Sequence, residues 1–351
     1  MNPSLFGIQN SNRDFTKADG WSKNNFNSAF PASLCCYMAS LKINPVYLVI
    51  GEQGELSHTN IDVSQLFGLS PLSESVYYAF ESAYSPYQTL VVGDLPRIDL
   101  VLMDKSTGKS LRGLEIKLTA LPDNSTAHLS DAEYGSELVI RPDTIIYLAL
   151  SISDLFKNDV EELARHLPIQ ELGNLNWSNQ AQLLSVLPIF VDMFSNLMRN
   201  YVSQQIPLIM QPIWKTQGKR LLLDENAFDI FVWSNFAITK LFFYALNNVK
   251  TINRQIRAII WLMRMLYDFV INGKINYAQV IDELSLSTKN DKAFSASGRI
   301  THRLMACPEL TNPRIKKDAI RDIILGDGQK LLSPERRLDA VIMSMAELFE
   351  G

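Results

Sequence analysis

Two short runs rich in Leu, Val and Ile, residues 98–104 and 110–119, flank a polar stretch at 105–109 that contains Gly108. That pattern predicts two β-strands joined by a turn. Residues 45–50 read as a further strand, followed by the turn Gly51-Glu52-Gln53-Gly54. Residues 75–84 read as a helix with Ser73 or Ser75 as N-cap. The apolar run 145–152 shows no alternation, which predicts a strand buried on both faces. From Asp154 the periodicity turns helical. Ser153 or Asp154 caps a helix over 155–167, and a long helix covers 178–205 with Pro188 inside it. Strands at 207–213 and 219–223 surround Lys215-Thr216-Gln217-Gly218. Helices follow at 225–246, capped by Asp224, and at 251–272, with a last one at 332–349 started by Ser333-Pro334. Residues 1–33 and 121–131 read as irregular segments. The order predicts an α/β (mixed α+β) fold, with a central mixed sheet flanked by helices and a more helical C-terminal portion. A division into 1–247 and 248–351 is one arrangement, and a single large domain is the other.

Composition narrows the class. With 351 residues, 47% of them hydrophobic, the chain can bury a sizeable core. The run 261–271 is broken by Arg264 and Asp268, and 145–150 is strand-sized, so neither reaches the roughly 18 residues of a membrane span. No basic segment followed by an apolar one opens the chain, so a cytoplasmic location is expected. Three cysteines, Cys35 and Cys36 adjacent among them, make no disulfide framework, and four scattered histidines show no zinc spacing. The net charge of −4 argues against a phosphate partner. The stretch from Lys289 to Arg337 is locally basic, however, and local fields govern docking more than the sum does.

The hairpin carries the chemistry. Side chains alternate along a strand, so Glu115 and Lys117 share a face. Folding about Thr107 sets Asp99 opposite Glu115. At about 4 Å, two carboxylates repel by roughly 1 kcal/mol in water and about 4 kcal/mol at an effective dielectric near 20. Like charges opposed across strands destabilise a sheet, so a cation is expected between them. Two carboxylate ligands suit a hard divalent ion that keeps its waters, and magnesium is the usual one. The competing reading is an exposed hairpin with a polar face. Against it, Asp99 shares its face with Val101 and Met103. A one-residue slip would separate Asp99 from Glu115. Asp94, between Gly93 and Pro96, is the weaker alternative for the first carboxylate.

Pro96-Arg97-Ile98-Asp99 with Glu115-Ile116-Lys117 resembles the PD-(D/E)xK nuclease superfamily. Glu81, just before the hairpin, stands where many members carry another acid. Three longer stretches resemble the HindVP family of type II restriction endonucleases. These are Ser4-Leu5-Phe6-Gly7-Ile8-Gln9-Asn10-Ser11-Asn12-Arg13-Asp14-Phe15, Asn25-Phe26-Asn27-Ser28 with Phe30-Pro31-Ala32-Ser33-Leu34, and Gly113-Leu114-Glu115-Ile116-Lys117-Leu118-Thr119-Ala120-Leu121-Pro122-Asp123. The resemblance implies a restriction-endonuclease-like core and Mg²⁺-dependent cleavage of palindromic duplex DNA, with GRCGYC the expected site and 5′-phosphate ends. It implies Asp99, Glu115 and Lys117 as catalytic residues. Asp99, Glu115 and the Ile116 carbonyl would be metal ligands, with Glu81 in a lesser role. Cutting both strands of a palindrome favours a homodimer, and a cognate DNA methyltransferase is expected in the same system. Asn10, Asn12, Arg13, Lys23 and Asn25 have side chains that read base edges and phosphates, although turn chemistry accounts for any one of them singly. Arg299, Arg303, Lys316 and Lys317, with Arg314, suit a phosphate-contacting surface or simply a solvated face. His128 lies in the loop after the hairpin. Two other functions share these residues: a structure-specific or repair nuclease, and a non-catalytic DNA-binding protein. The intact Asp, Glu and Lys argue against the latter.

Overall fold

The computed structural model describes residues 31–32, 34–117, 119–120, 138–216, 223–246, 252–284, 294–296 and 315–316. Its centre is an eight-stranded mixed sheet. The strands are β1 (Val46–Ile50), β2 (Leu56–Asn60), β3 (Val76–Ser82), β4 (Ile98–Asp104), β5 (Ser110–Ile116), β6 (Thr119–Ala120), β8 (Pro207–Thr216) and β9 (Leu223–Ser234). A separate pair joins β7 (Leu138–Ile140) to β10 (Phe294–Ala296). The main order is β2-β1-β9-β8-β5-β4-β3, with β6 also on β8. The β1–β9 and β5–β8 pairs are parallel, and β3–β4, β4–β5 and β8–β9 are antiparallel. A mixed sheet flanked by helices is the fold class expected from the sequence.

Strand alternation sorts the core into two layers. Leu100, Leu102, Leu114, Met210 and Val232 pack with Leu34, Met38, Leu66 and Phe67 of the helical segments 34–41 and Val63–Phe67. Val101, Ile209, Phe231 and Trp233 join the larger cluster. That cluster also holds buried side chains of the helices Pro142–Leu155, Gln180–Asn200, Asn235–Phe243 and Arg254–Asn272. Helix Gln180–Asn200 is long and apolar enough to cross a membrane. Here its Leu183, Leu187, Phe190, Phe194 and Leu197 are buried in this cluster.

Several elements differ from the expected ones. Residues 75–84 hold strand β3, not a helix. Val76 and Tyr78 are buried while Tyr77 and Ala79 are half-buried, the period of a strand, and β3 pairs with β4 throughout. Residues 145–152 are helical, inside Pro142–Leu155. A continuous apolar run fits a helix sunk in the core as well as a strand, and every residue from Thr144 to Ser153 is buried. Pro142 opens that helix, where its missing N–H costs nothing. Ser153 and Asp154 therefore lie at a helix end. The next helix is the short Val160–Arg165, whose N-cap Asp159 accepts from the Glu162 amide. Helix Gln180–Asn200 is shorter than the expected span and is capped by Asn179. Asp224 lies in β9, which runs to Ser234, so helix Asn235–Phe243 begins ten residues later than expected, on Ser234. Of the strand expected at 219–223, residues 219–222 lie outside the described residues and Leu223 opens β9. The helix over 251–272 is present as Arg254–Asn272, capped by Asn253 and ended by Gly273 at φ 70°. The expected elements at 121–131 and 332–349 lie outside the described residues.

Candidate active site

The turn between β4 and β5 is set by Asp104. Its Oδ1 accepts the amides of Ser106 and Thr107, each at 2.8 Å. Gly108 supplies the left-handed backbone, φ 64°, that closes the turn. Next to the turn Met103 pairs with Ser110, and a bulge between Leu102 and Met103 absorbs the offset. Beyond it Leu102 pairs with Arg112, Val101 with Gly113 and Leu100 with Leu114. One further step along this register sets Asp99 level with Glu115. The bulge thus restores the pairing expected from folding about Thr107.

Asp99 and Glu115 do sit together. Asp99 Oδ2 accepts the Ile116 amide at 2.8 Å, so the second strand grips the carboxylate of the first. Glu115 is 5% exposed. Its Oε1 accepts from Lys117 Nζ and, at 3.1 Å, from the Thr144 hydroxyl. Lys117 is fixed at its backbone, where its amide donates to the Met210 carbonyl of β8 at 2.9 Å. The sheet continues there in parallel, with Glu115 beside Ile209 and Ile116 beside Met210. Burial and the neighbouring Glu115 charge push the Asp99 pKa up to about 6, against the opposing pull of Lys117 and the Ile116 amide.

Glu81 is a strand residue, exposed, at φ 47°. Phe80 pairs with Leu100 and Ser82 with Ile98, so Glu81 falls at the level of Asp99 and adds slightly to its upward shift. Asp94 is exposed in the loop before β4. Lys316 is exposed beside buried Ile315. Asn10, Asn12, Arg13, Lys23, Asn25, His128, Arg299, Arg303, Arg314 and Lys317 lie outside the described residues.

Three residues of one helix were not singled out in the sequence: Tyr147 lay in the run read as a strand, and Asp143 and Thr144 just before it. Thr144 holds Glu115. Asp143, open to solvent, has its pKa raised by partial desolvation and by the Glu115 charge. Tyr147 donates to the Pro96 carbonyl at 2.7 Å and accepts the Tyr84 amide at 3.1 Å, which anchors the approach to β4. Burial pushes its phenol up to about 12. The available signal was Pro142-Asp143, a proline and an acid in the order that opens helices.

The donors here are hard oxygens: two carboxylates level across adjacent strands, with the Ile116 backbone in contact with one of them. Among the described residues no group of three or more His, Cys, Asp or Glu could hold a metal. Carboxylate and backbone oxygens are the donor type that hard divalent cations take.

A family model for the HindVP restriction endonuclease matches residues 21–349. The chain is 47% identical over 352 residues to the type II restriction enzyme HgiDI of Herpetosiphon aurantiacus, covering 99% of this chain and 97% of that protein. It is 42% identical over 353 residues to the probable type II restriction enzyme HindVP of Haemophilus influenzae, covering 99% and 96%. No solved structure matches.

Proposed function

Because the chain belongs to the HindVP restriction endonuclease family, we propose that Asp99, Glu115 and Lys117 carry its Mg²⁺-dependent hydrolysis of duplex DNA. It is a site-specific deoxyribonuclease of type II. The observation that supports the assignment is the Asp99 carboxylate held on the Ile116 amide, next in the chain to Glu115, with the Lys117 ammonium on the Glu115 carboxylate.

Asp99 and Glu115, with the Ile116 carbonyl, would hold the ion, and Glu81 stands at the exposed margin. A divalent ion held by these residues would supply a more acidic water and a counter-charge for a phosphoryl oxygen. Asp99 is kept in place by the Ile116 amide. Glu115 is kept in place by Lys117 and Thr144. Lys117 faces the scissile phosphate in this reading, and its ammonium stabilises the negative charge that develops there. It either acts on the attacking water through its field or, when neutral, takes the water's proton. Strand scission leaves 5′-phosphate and 3′-hydroxyl ends.

The finer assignments follow from the family resemblance. The recognition site is GRCGYC, the working form is a homodimer that places one site on each strand, and a DNA methyltransferase protects the host in the same system. The compartment is the cytoplasm. The segments around Asn10–Asn25 and Arg299–Lys317 supply contacts to bases and phosphates.

Digestion of plasmid DNA with Mg²⁺, followed by sequencing of the ends, tests the set. Discrete fragments ending within GRCGYC are expected, and a single-site plasmid should pass directly to linear product. Cuts at junctions or free ends would point to a repair nuclease. Glu115→Ala and Lys117→Ala should each abolish cleavage while DNA binding and the melting transition persist. Parental cleavage by either variant would falsify the site assignment.

A further inference from the structure

We infer that Thr144 is a positioning residue for the metal-binding carboxylate, acting through Glu115 and not on DNA. The inference rests on the reading of Glu115 given above.

Thr144 lies in the first turn of helix Pro142–Leu155, yet its side chain does not serve that helix. The N-cap, Arg141, makes no side-chain cap, and the Thr144 hydroxyl reaches across to β5 instead. Thr144 is 1% exposed, so the hydroxyl is out of reach of bulk water. The hydroxyl donates to Glu115 Oε1. Lys117 bonds the same oxygen. Both protein donors described on Glu115 therefore converge on Oε1, and Oε2 takes no hydrogen bond among the described residues. Two donors on one oxygen fix the carboxylate's rotation and leave the other oxygen for a ligand.

The helix that presents Thr144 is itself pinned to the segment that leads into the strand bearing Asp99. Its backbone starts on the Thr144 amide to Arg141 carbonyl bond at 3.0 Å. One turn later, Tyr147 bonds the Pro96 carbonyl. A single rigid element thereby touches the approach to one carboxylate and the side chain of the other. Partners of this kind orient metal ligands, and their loss weakens binding of the ion.

The test compares Thr144→Ala with Thr144→Ser in the full chain. Both lose the methyl group, and only the serine keeps the hydroxyl. Mn²⁺ binding is followed by the loss of the free-ion paramagnetic resonance signal, and cleavage is followed against Mg²⁺ concentration. Thr144→Ala should weaken Mn²⁺ binding and raise the half-saturating Mg²⁺ by about 10–100-fold, with Thr144→Ser close to the parent. Equal Mn²⁺ affinities for the two variants overturn the inference, as does a loss confined to the melting temperature. If Thr144→Ala does not melt cooperatively, Thr144→Val, which restores the volume, takes its place against the same serine control. Glu115→Ala is run in parallel. If it still binds Mn²⁺ and cuts DNA, the functional reading has failed. If it is inert while Thr144→Ala behaves as the parent, only the role of Thr144 has failed.

Discussion

Asp99 costs the folded chain stability when it is ionised with no metal ion beside it. Its folded pKa of about 6 stands above the ordinary 3.8, chiefly through burial and secondly through Glu115. Between those values the folded state holds a proton that the unfolded state has released. Stability from this group is therefore complete below about pH 4 and is lost as pH rises towards 6 and beyond. In EDTA, urea unfolding of the parent should show this decline between pH 4 and 7. Asp99→Asn, which keeps an oxygen for the Ile116 amide, should flatten it. An unchanged slope would remove Asp99 as its source. At this scale the sequence was informative where side chains alternate. Asp99, Glu115 and Lys117 could be placed from the strand period and the position of the turn. Thr144 and Asp143 could not, because the element read there began at Ile145 and left both residues outside it, ahead of a run whose continuous apolar character hid the helix.

Helix Pro142–Leu155 acts on the hairpin through more than apolar contact. Tyr147 links the carbonyl of Pro96 to the amide of Tyr84 through a single oxygen. Tyr147→Phe keeps the ring in the core and strips both partners of that oxygen. Its cost should be about 1–3 kcal/mol, read as a lower urea midpoint at an unchanged m-value. A midpoint equal to the parent's would mean that the link adds nothing to stability. The elements that were misread share a cause. β3 and β9 carry polar residues that also suit a helix, and pairing with β4 and β8 overrides the local preference. Helix Pro142–Leu155 is buried from Thr144 to Ser153, so its apolar residues fall on every side and no amphipathic stripe marks it. Helix Arg254–Asn272 falls within the span expected from the sequence, and the structure adds its cap Asn253 and its end at Gly273.

For the molecule as a whole, a net charge of −4 must coexist with a polyanionic partner. The acids gathered at Asp99, Glu115, Asp143 and Glu81 account for part of it, and the basic stretch beyond Lys289 is expected to meet phosphate. If Arg299 contacts the backbone, Arg299→Ala should weaken binding to all duplexes alike and reduce the slope of log K against log salt by about 1. A titration at several salt concentrations, with Ca²⁺ in place of Mg²⁺ to suppress cutting, checks this. Parental affinity and slope would remove Arg299 from the contact surface. The sheet order was the part of the architecture least open to reading. Nothing local in β5 names β8 as its neighbour, since that pairing joins segments far apart in the chain.

That distance bears on when the protein gains its activity during synthesis. Translation delivers the N-terminal segments first. The hairpin can bring its acids into line as soon as it leaves the ribosome, but the flank of β5 stays bare until residues 207–216 emerge. Pairing between remote segments is also the slow part of folding. An interrupted chain that stops short of β8 carries the acids but lacks the neighbour that anchors the Lys117 backbone. The neighbourhood of the hairpin acids is therefore finished by a strand that lies some ninety residues further along the chain.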